Sequence, residues 1–338
     1  MIIPILLDVL APILLMVGLG AVLRWKFAID LGTLSKLNIY LFVPAFVFDK
    51  VAHSTLSWGQ MGGIVTVSVV QVITLGLIVW GIGRTLNVSR RTLSAIALAV
   101  MFYNSGNYGL PLAELAFPGR EQGAGLADVS APLIKNGGAV QVFVVMTQNI
   151  LTYTLGLMIA AMAHAGGIGR SLVRVLRLPM IPVLLAAVAA RWWLQGDPSR
   201  AMPIFIDKTA GYLANGLVPL ALVTLGAQLA SNPRWPRWKP VSMVLALRLI
   251  FGPVQMAALL WGFHLIGWPA MDLWGQTGWP AELLILTAAV PTAVGTMLLT
   301  LELGGDTDLA ADCVFWTTVF SCVTITLWLV VLRLWFGS

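Results

Sequence analysis

Met101-Phe-Tyr-Asn104-Ser-Gly106-Asn107-Tyr108-Gly109-Leu-Pro111 sits in the middle of an apolar run, 93–118, that is long enough to cross a membrane. Two glycines, two asparagines and a proline interrupt it. Pro111 has no N–H to donate, and its ring clashes with the preceding turn. Gly106 and Gly109 lower the helix propensity further. The helix is therefore expected to unwind here. A second run, 280–303, carries a parallel feature, Pro291-Thr292-Ala-Val-Gly295-Thr. Non-helical backbone at membrane depth is tolerated only inside protein or beside a water-filled cavity. The two breaks are expected to line a site.

Working outward, the whole chain is built for lipid. Hydrophobic residues make up 59% of it, charged residues 10%, and the mean hydropathy is +0.89. A soluble domain carries about 25% charged residues. Ten apolar runs can be placed, at 3–23, 32–52, 60–83, 93–118, 138–163, 179–195, 204–230, 240–266, 280–303 and 309–335. The stretches between them are too short for a separate soluble domain. No basic segment precedes the first run, which reads as a retained span rather than a cleaved signal.

The net charge of +6 does not indicate nucleic acid. Arg and Lys come in twos and threes between apolar runs, as membrane-flanking loops do. With the N-terminus outside, inside loops collect twelve Lys and Arg, against seven outside. The expectation is both termini outside the cytoplasm. The tryptophans cluster near run ends, as an interfacial belt does. Cys313 and Cys322 share one run at a spacing that a helix cannot bridge by a disulfide. They read as packing residues.

Runs 1–5 and 6–10 look like copies of one unit, 1–163 and 164–338. Pro12, Arg24-Trp25 and Pro44 correspond in order to Pro182, Arg191-Trp192 and Pro219. Trp80-Gly81 corresponds to Trp261-Gly262, and Pro111 to Pro291. Five spans is an odd number, so the copies must enter the membrane in opposite directions. Inverted repeats of this kind suit alternating access. Proline is favoured at the first position of a helix, so Pro111 and Pro291 are expected to start second half-helices. Each half-helix N-terminus offers free N–H groups and a partial positive charge. Two such ends meeting at mid-membrane would suit a small carboxylate.

These residues resemble the auxin efflux carrier family, which includes the plant PIN-formed proteins and bacterial organic-acid carriers. The resemblance covers nearly the whole chain. Its most specific stretches are Asn104 to Pro111, Gln148-Asn-Ile-Leu-Thr-Tyr153-Thr-Leu, Arg248-Leu-Ile-Phe-Gly252-Pro253 and Ala288-Ala-Val-Pro291. It implies an all-α polytopic membrane protein of ten transmembrane helices in two inverted five-helix repeats, with helices 4 and 9 broken and crossing. It further implies a scaffold of spans 1, 2, 6 and 7, through which a homodimer would form. Spans 3–5 and 8–10 would make a transport domain that moves as an elevator. Family substrates are carboxylates, either auxin or malate- and malonate-like acids. By the resemblance, Asn104 and the backbone beside Pro291 would hold the carboxylate, and Gln148 and Tyr153 would line the site. Two departures from the family argue against a plant hormone role and for a carrier of a bacterial inner membrane. Extra sequence at about 123–138 precedes span 5, and the long loop of many plant members is absent between spans 5 and 6.

The candidate substrate site is thus Asn104, Asn107, Pro111, Gln148, Tyr153, Pro291 and Thr292. Asn104 and Asn107 could equally cap the broken backbone, as Asn does locally. Gln148 with Thr152, and Asn149 with Tyr153, lie four apart on adjacent faces, where polar groups also join helices. Arg248, a charge within span 8, reads as a structural pairing group, with attraction of the acid as the alternative. Glu114 is a candidate for proton coupling or for a helix-end charge. No cofactor is expected, and the coupling ion, H+ or Na+, is left open. An intramembrane enzyme would need metal ligands or a nucleophile with its base. No such cluster is present in the runs. The rival readings are a sodium-coupled carrier like the bile-acid symporters, and a channel or sensor that does not transport.

Overall fold

The structure, a computed structural model, describes residues 11–54, 56–117, 137–161, 180–196, 200–230, 235–267, 273 and 278–336. The extra segment expected at 123–138 lies outside these, except for Gly137 and Gly138, which open a helix. Loop charges such as Arg120, Lys135, Arg174 and Arg234 also lie outside them.

The helices follow the apolar runs in order. Spans 1 to 3 are α1 (Ala11–Lys26), α2 (Leu31–Ala52) and α3 (Trp58–Thr85). Span 4 is split into α4 (Arg90–Met101) and α5 (Leu110–Ala116). Spans 5 to 8 are α6 (Gly137–Ala161), α7 (Met180–Gln195), α8 (Ile204–Ala230) and α9 (Trp238–Ile266). Span 9 is split into α10 (Trp279–Ala288) and α11 (Val294–Glu302), and span 10 is α12 (Thr307–Phe336). Six of these, α2, α3, α6, α8, α9 and α12, are long and apolar enough to cross a membrane unaided. No strand occurs among the described residues. The chain is an all-α polytopic integral membrane protein.

Local sequence starts and stops the helices. Asp30 caps α2 by accepting from the Gly32 and Thr33 N–H groups. Ser57 and Gln60 form a reciprocal capping box at the start of α3, which satisfies two N–H groups that a helix end leaves orphaned. Gly267, in the left-handed region at φ 66°, ends α9, where a side chain would be strained.

Helix α8 lies along α1 and α2, and α7 packs on α2. Glycines set how closely α1 and α8 approach. A Cβ on Gly20 would strike the Val223 carbonyl, and one on Gly226 the Val17 carbonyl. In lipid, helices associate through packing, so small residues at the contact are favoured. Elsewhere α3 packs on α4 and α6, α9 on α10, and α12 on α4, α9 and α11. The two groups touch where α2 meets α6 and where α8 meets the second half of span 4. Cys313 is fully buried in the apolar cluster of Leu98, Val244 and Leu309, which fits its reading as a packing residue.

The prolines act differently from the expectation. Pro111 does not start the second half of span 4. It is the second residue of α5, which continues a π-helical turn at Ser105–Gly109, so this half-helix begins after Asn104. Pro291 lies inside the other break, and α11 begins after Ala293. Pro111 needs only the loss of one backbone bond, and the wider π turn just before it makes room for its ring.

Candidate functional site

The two breaks cross as short extended segments running antiparallel. Asn104 N–H donates to the Pro291 carbonyl at 2.8 Å, and Ala293 N–H donates to the Phe102 carbonyl at 3.1 Å. Between them Tyr103 and Thr292 face each other as an isolated bridge. This pairing satisfies backbone groups that would otherwise be orphaned in an apolar interior. The remaining groups are met by side chains. Thr292 Oγ1 donates to Ala99 O at 2.8 Å, and its N–H donates to Thr317 Oγ1 at 3.0 Å. Gln141, fully buried, donates to Ser105 O and accepts from Thr287 Oγ1, each at 2.9 Å.

Arg248 closes the crossover. Its guanidinium is fully buried. It donates to Val100 O at 2.8 Å, to Val290 O at 3.2 Å and to Ala288 O. Those carbonyls belong to the ends of α4 and α10 and to the break that follows α10. Helix ends of this kind leave carbonyls without partners. The same group stacks over the Tyr103 ring, 4.4 Å from its centre.

Four π-helical turns occur among the described residues: Asn38–Phe42 in α2, Ser105–Gly109, Thr152–Gly156 in α6 and Ala246–Phe251 in α9. They carry Asn38, Asn107, Tyr153 and Arg248. Three of them run into a proline two residues on, Pro44, Pro111 and Pro253. A π turn re-aims side chains and frees backbone groups, and such turns recur at functional sites.

The crossover opens on a cavity of about 180 Å³. Span 4 contributes Tyr103 to Asn107, and α6 contributes Val145, Gln148, Asn149, Thr152 and Tyr153. Ala293, Val294 and Gly295 come from the second break, and Val43 from α2. Asn104 caps its half-helix by accepting from Asn107 N–H at 3.2 Å, while its buried Nδ2 has no partner. Neither polar atom of the Gln148 amide, also buried, is hydrogen-bonded. It faces the Tyr103 hydroxyl without reaching bonding geometry. Asn107 accepts from Asn38 Nδ2 at 2.7 Å, a bond between α2 and the second half of span 4. Gly106 and Gly295 present open backbone, since a Cβ on either would meet no atom within 4 Å. Both belong to first turns, whose N–H groups lack partners within the helix.

The family model described as "Membrane transport protein" matches residues 6–168 and 174–329. The chain belongs to that family, the auxin efflux carriers. An uncharacterized transporter of Methanothermobacter thermautotrophicus is 26% identical over 332 residues, covering 95% of this chain and 96% of that protein. A Rhizobium meliloti protein, whose name proposes malonate transport, is 25% identical over 306 residues, covering 88% and 85% of the two chains.

In this auxin efflux carrier relative, the expected site residues divide. Asn104, Asn107, Gln148 and Tyr153 line the cavity. Pro111, Pro291 and Thr292 do not, and the polar groups of Thr292 are already used inside the protein. Glu114 is outside the lining too. It forms a 2.6 Å ion pair with Lys50 of α2. Asn149 and Thr152, noted in the sequence for their spacing, join the lining, as do Ser105, Gly106 and Gly295. Asn38 and Gln141 were missed altogether. Each is a polar residue in an apolar run, which is the one signal that marked them.

Proposed function

We propose that the chain is a secondary transporter for a small carboxylate of about the size of malonate. The observation that carries this reading is the chemistry of the crossover cavity. It offers the unpartnered Asn104 Nδ2, the unpartnered Gln148 amide and two helix N-termini, and among the described residues no carboxylate lines it. Exposed N–H groups at helix N-termini favour anions, and buried donors without partners are costly until a ligand accepts from them. The cavity amounts to roughly six water volumes, which suits a three- or four-carbon acid and is far too small for a steroid acid. The name of the Rhizobium relative is consistent with this substrate class.

Movement would be of the elevator type. Spans 1, 2, 6 and 7 would stand as the scaffold, and spans 3–5 and 8–10 would carry the crossover across the membrane. This division follows the packing of α1, α2, α7 and α8 on one another. It also follows the near-complete origin of the cavity lining in the second group, Val43 excepted. The Asn38–Asn107 bond and the Lys50–Glu114 pair cross between the groups and would have to break in each cycle. The two five-span halves would be inverted copies, with both termini outside and the chain in a prokaryotic plasma membrane.

The test is uptake of labelled malonate by the purified protein in liposomes, with Asn104→Ala alongside. Saturable uptake with counterflow, lost in a variant that still folds and inserts, is the expected outcome. Uptake without counterflow would point to a channel. Malonate uptake indifferent to Asn104→Ala would remove the site assignment, and the absence of uptake of any small acid would remove the carboxylate.

A further inference from the structure

Four helix ends meet at the crossover, and they carry opposite partial charges. The N-termini of the half-helices after Asn104 and Ala293 are positive poles. The C-termini of α4 and α10 are negative poles at the same place. Each pole is worth about half an elementary charge, so the four nearly cancel, and helix ends alone do not decide which sign of ligand the cavity takes. Arg248 decides it. Its guanidinium sits on carbonyls at and just beyond the two negative poles: Val100 O, Ala288 O and Val290 O. Among the described residues no carboxylate pairs with it. The positive poles at Gly106 and Gly295 are left unopposed on the cavity side.

We infer that Arg248 is the positioning residue that sets the cavity's preference for anions, and for dianions over monoanions, without touching the ligand. It acts through the helix ends it neutralises and across the Tyr103 ring, which separates it from the cavity. Without it, three convergent carbonyls would face the crossover and favour a cation. The inference rests on the carboxylate reading above and adds what gives that site its sign.

The guanidinium is 4.4 Å from the centre of the Tyr103 ring, so a ligand held against the opposite side of that ring would lie on the order of 8–10 Å from the charge, close enough for an unscreened interaction. At an effective dielectric constant of about 20, removing one charge at that distance weakens binding roughly 20-fold per unit of ligand charge.

The test compares malonate with malonamate, which is of similar size but carries one charge fewer. KM and kcat for both are measured in liposomes for wild type, Arg248→Gln and Arg248→Lys. The expected result is a malonate KM that rises about 20-fold more than the malonamate KM in Arg248→Gln. In Arg248→Lys the ratio of the two stays within about threefold of wild type. A merely structural role would change both substrates alike, through kcat or through both KM values. That outcome overturns the inference and leaves the carboxylate reading standing. If Arg248→Gln fails to fold, Arg248→Lys decides, because loss of the dianion preference with the charge retained also overturns it. Failure of the wild type to carry either anion removes both readings together.

Discussion

Replacing Gly106 or Gly295 by alanine adds one methyl group to the wall of the crossover cavity and disturbs little else. A Cβ built on either glycine meets no heavy atom within 4 Å, and neither residue has a positive φ. The folded state is therefore not strained. The unfolded chain loses freedom, so each variant should be as stable as the wild type or more so, by about 0.4–1 kcal/mol. Transport should respond in the opposite sense. Both residues lie in first turns and line the cavity, and first-turn N–H groups have no partner within the helix. A methyl beside such an N–H holds an anion off it and removes a hydrogen bond to a charged group, which is worth about 1.5–3 kcal/mol. At about 1.4 kcal/mol per decade, the malonate KM should rise roughly 10- to 100-fold. The assay is malonate uptake in liposomes, paired with thermal unfolding of the same preparations. An unchanged KM in both variants, with normal insertion, would refute ligand contact at these N-termini. A marked fall in melting temperature would refute the open space from which the prediction starts.

Thr292→Val should lower thermal stability by about 1–3 kcal/mol, because Ala99 O loses its buried donor, and it should leave the malonate KM within about twofold. A large KM change would return Thr292 to the site. Gly226→Ala should be more damaging, by about 1–3 kcal/mol or more, since its Cβ would meet the Val17 carbonyl of the facing helix. Unfolding followed by size-exclusion chromatography would show whether α1 and α8 can instead move apart without cost. His53, just past the end of α2, bonds to Asp49 and lies 3.2 Å from Asp207 of α8. The Asp49 hydrogen bond and the two carboxylate charges outweigh burial and raise its pKa above the ordinary 6.5. A raised folded pKa contributes stability that is full below 6.5 and is lost as pH rises through the higher folded value. The melting temperature should therefore step down across that window in the wild type but not in His53→Gln. An identical pH profile for the two would refute the pairing.

The two breaks were legible because a proline, two glycines and neighbouring amides have no reason to interrupt an apolar run except a backbone that departs from a plain helix there. Asn104 and Gln148 were found by the same reasoning, as polar groups at membrane depth. The role of proline was misread. Sequence treats a proline as the place where a helix ends, whereas Pro111 is the seventh residue of its half-helix, Asn104 being the cap. A π turn just upstream absorbs it. The recurrence of such turns ahead of Pro44, Pro111 and Pro253 shows the signal that could have been used. The partners of Arg248 were unreadable, since carbonyls at the ends of other helices leave no trace in side-chain identity.

By itself the sequence determined the solvent, the ten apolar runs, where two of them break and which polar groups sit at membrane depth. These properties depend on composition and on residues close together in the chain. Only the tertiary structure decided that Asn104 pairs with Pro291, that Thr292 turns inward while Gly106 and Gly295 face the cavity, and that Arg248 lies over Tyr103. Each depends on the register in which distant segments pack, and a shift of one helix turn would change every partner without changing the pattern of any run.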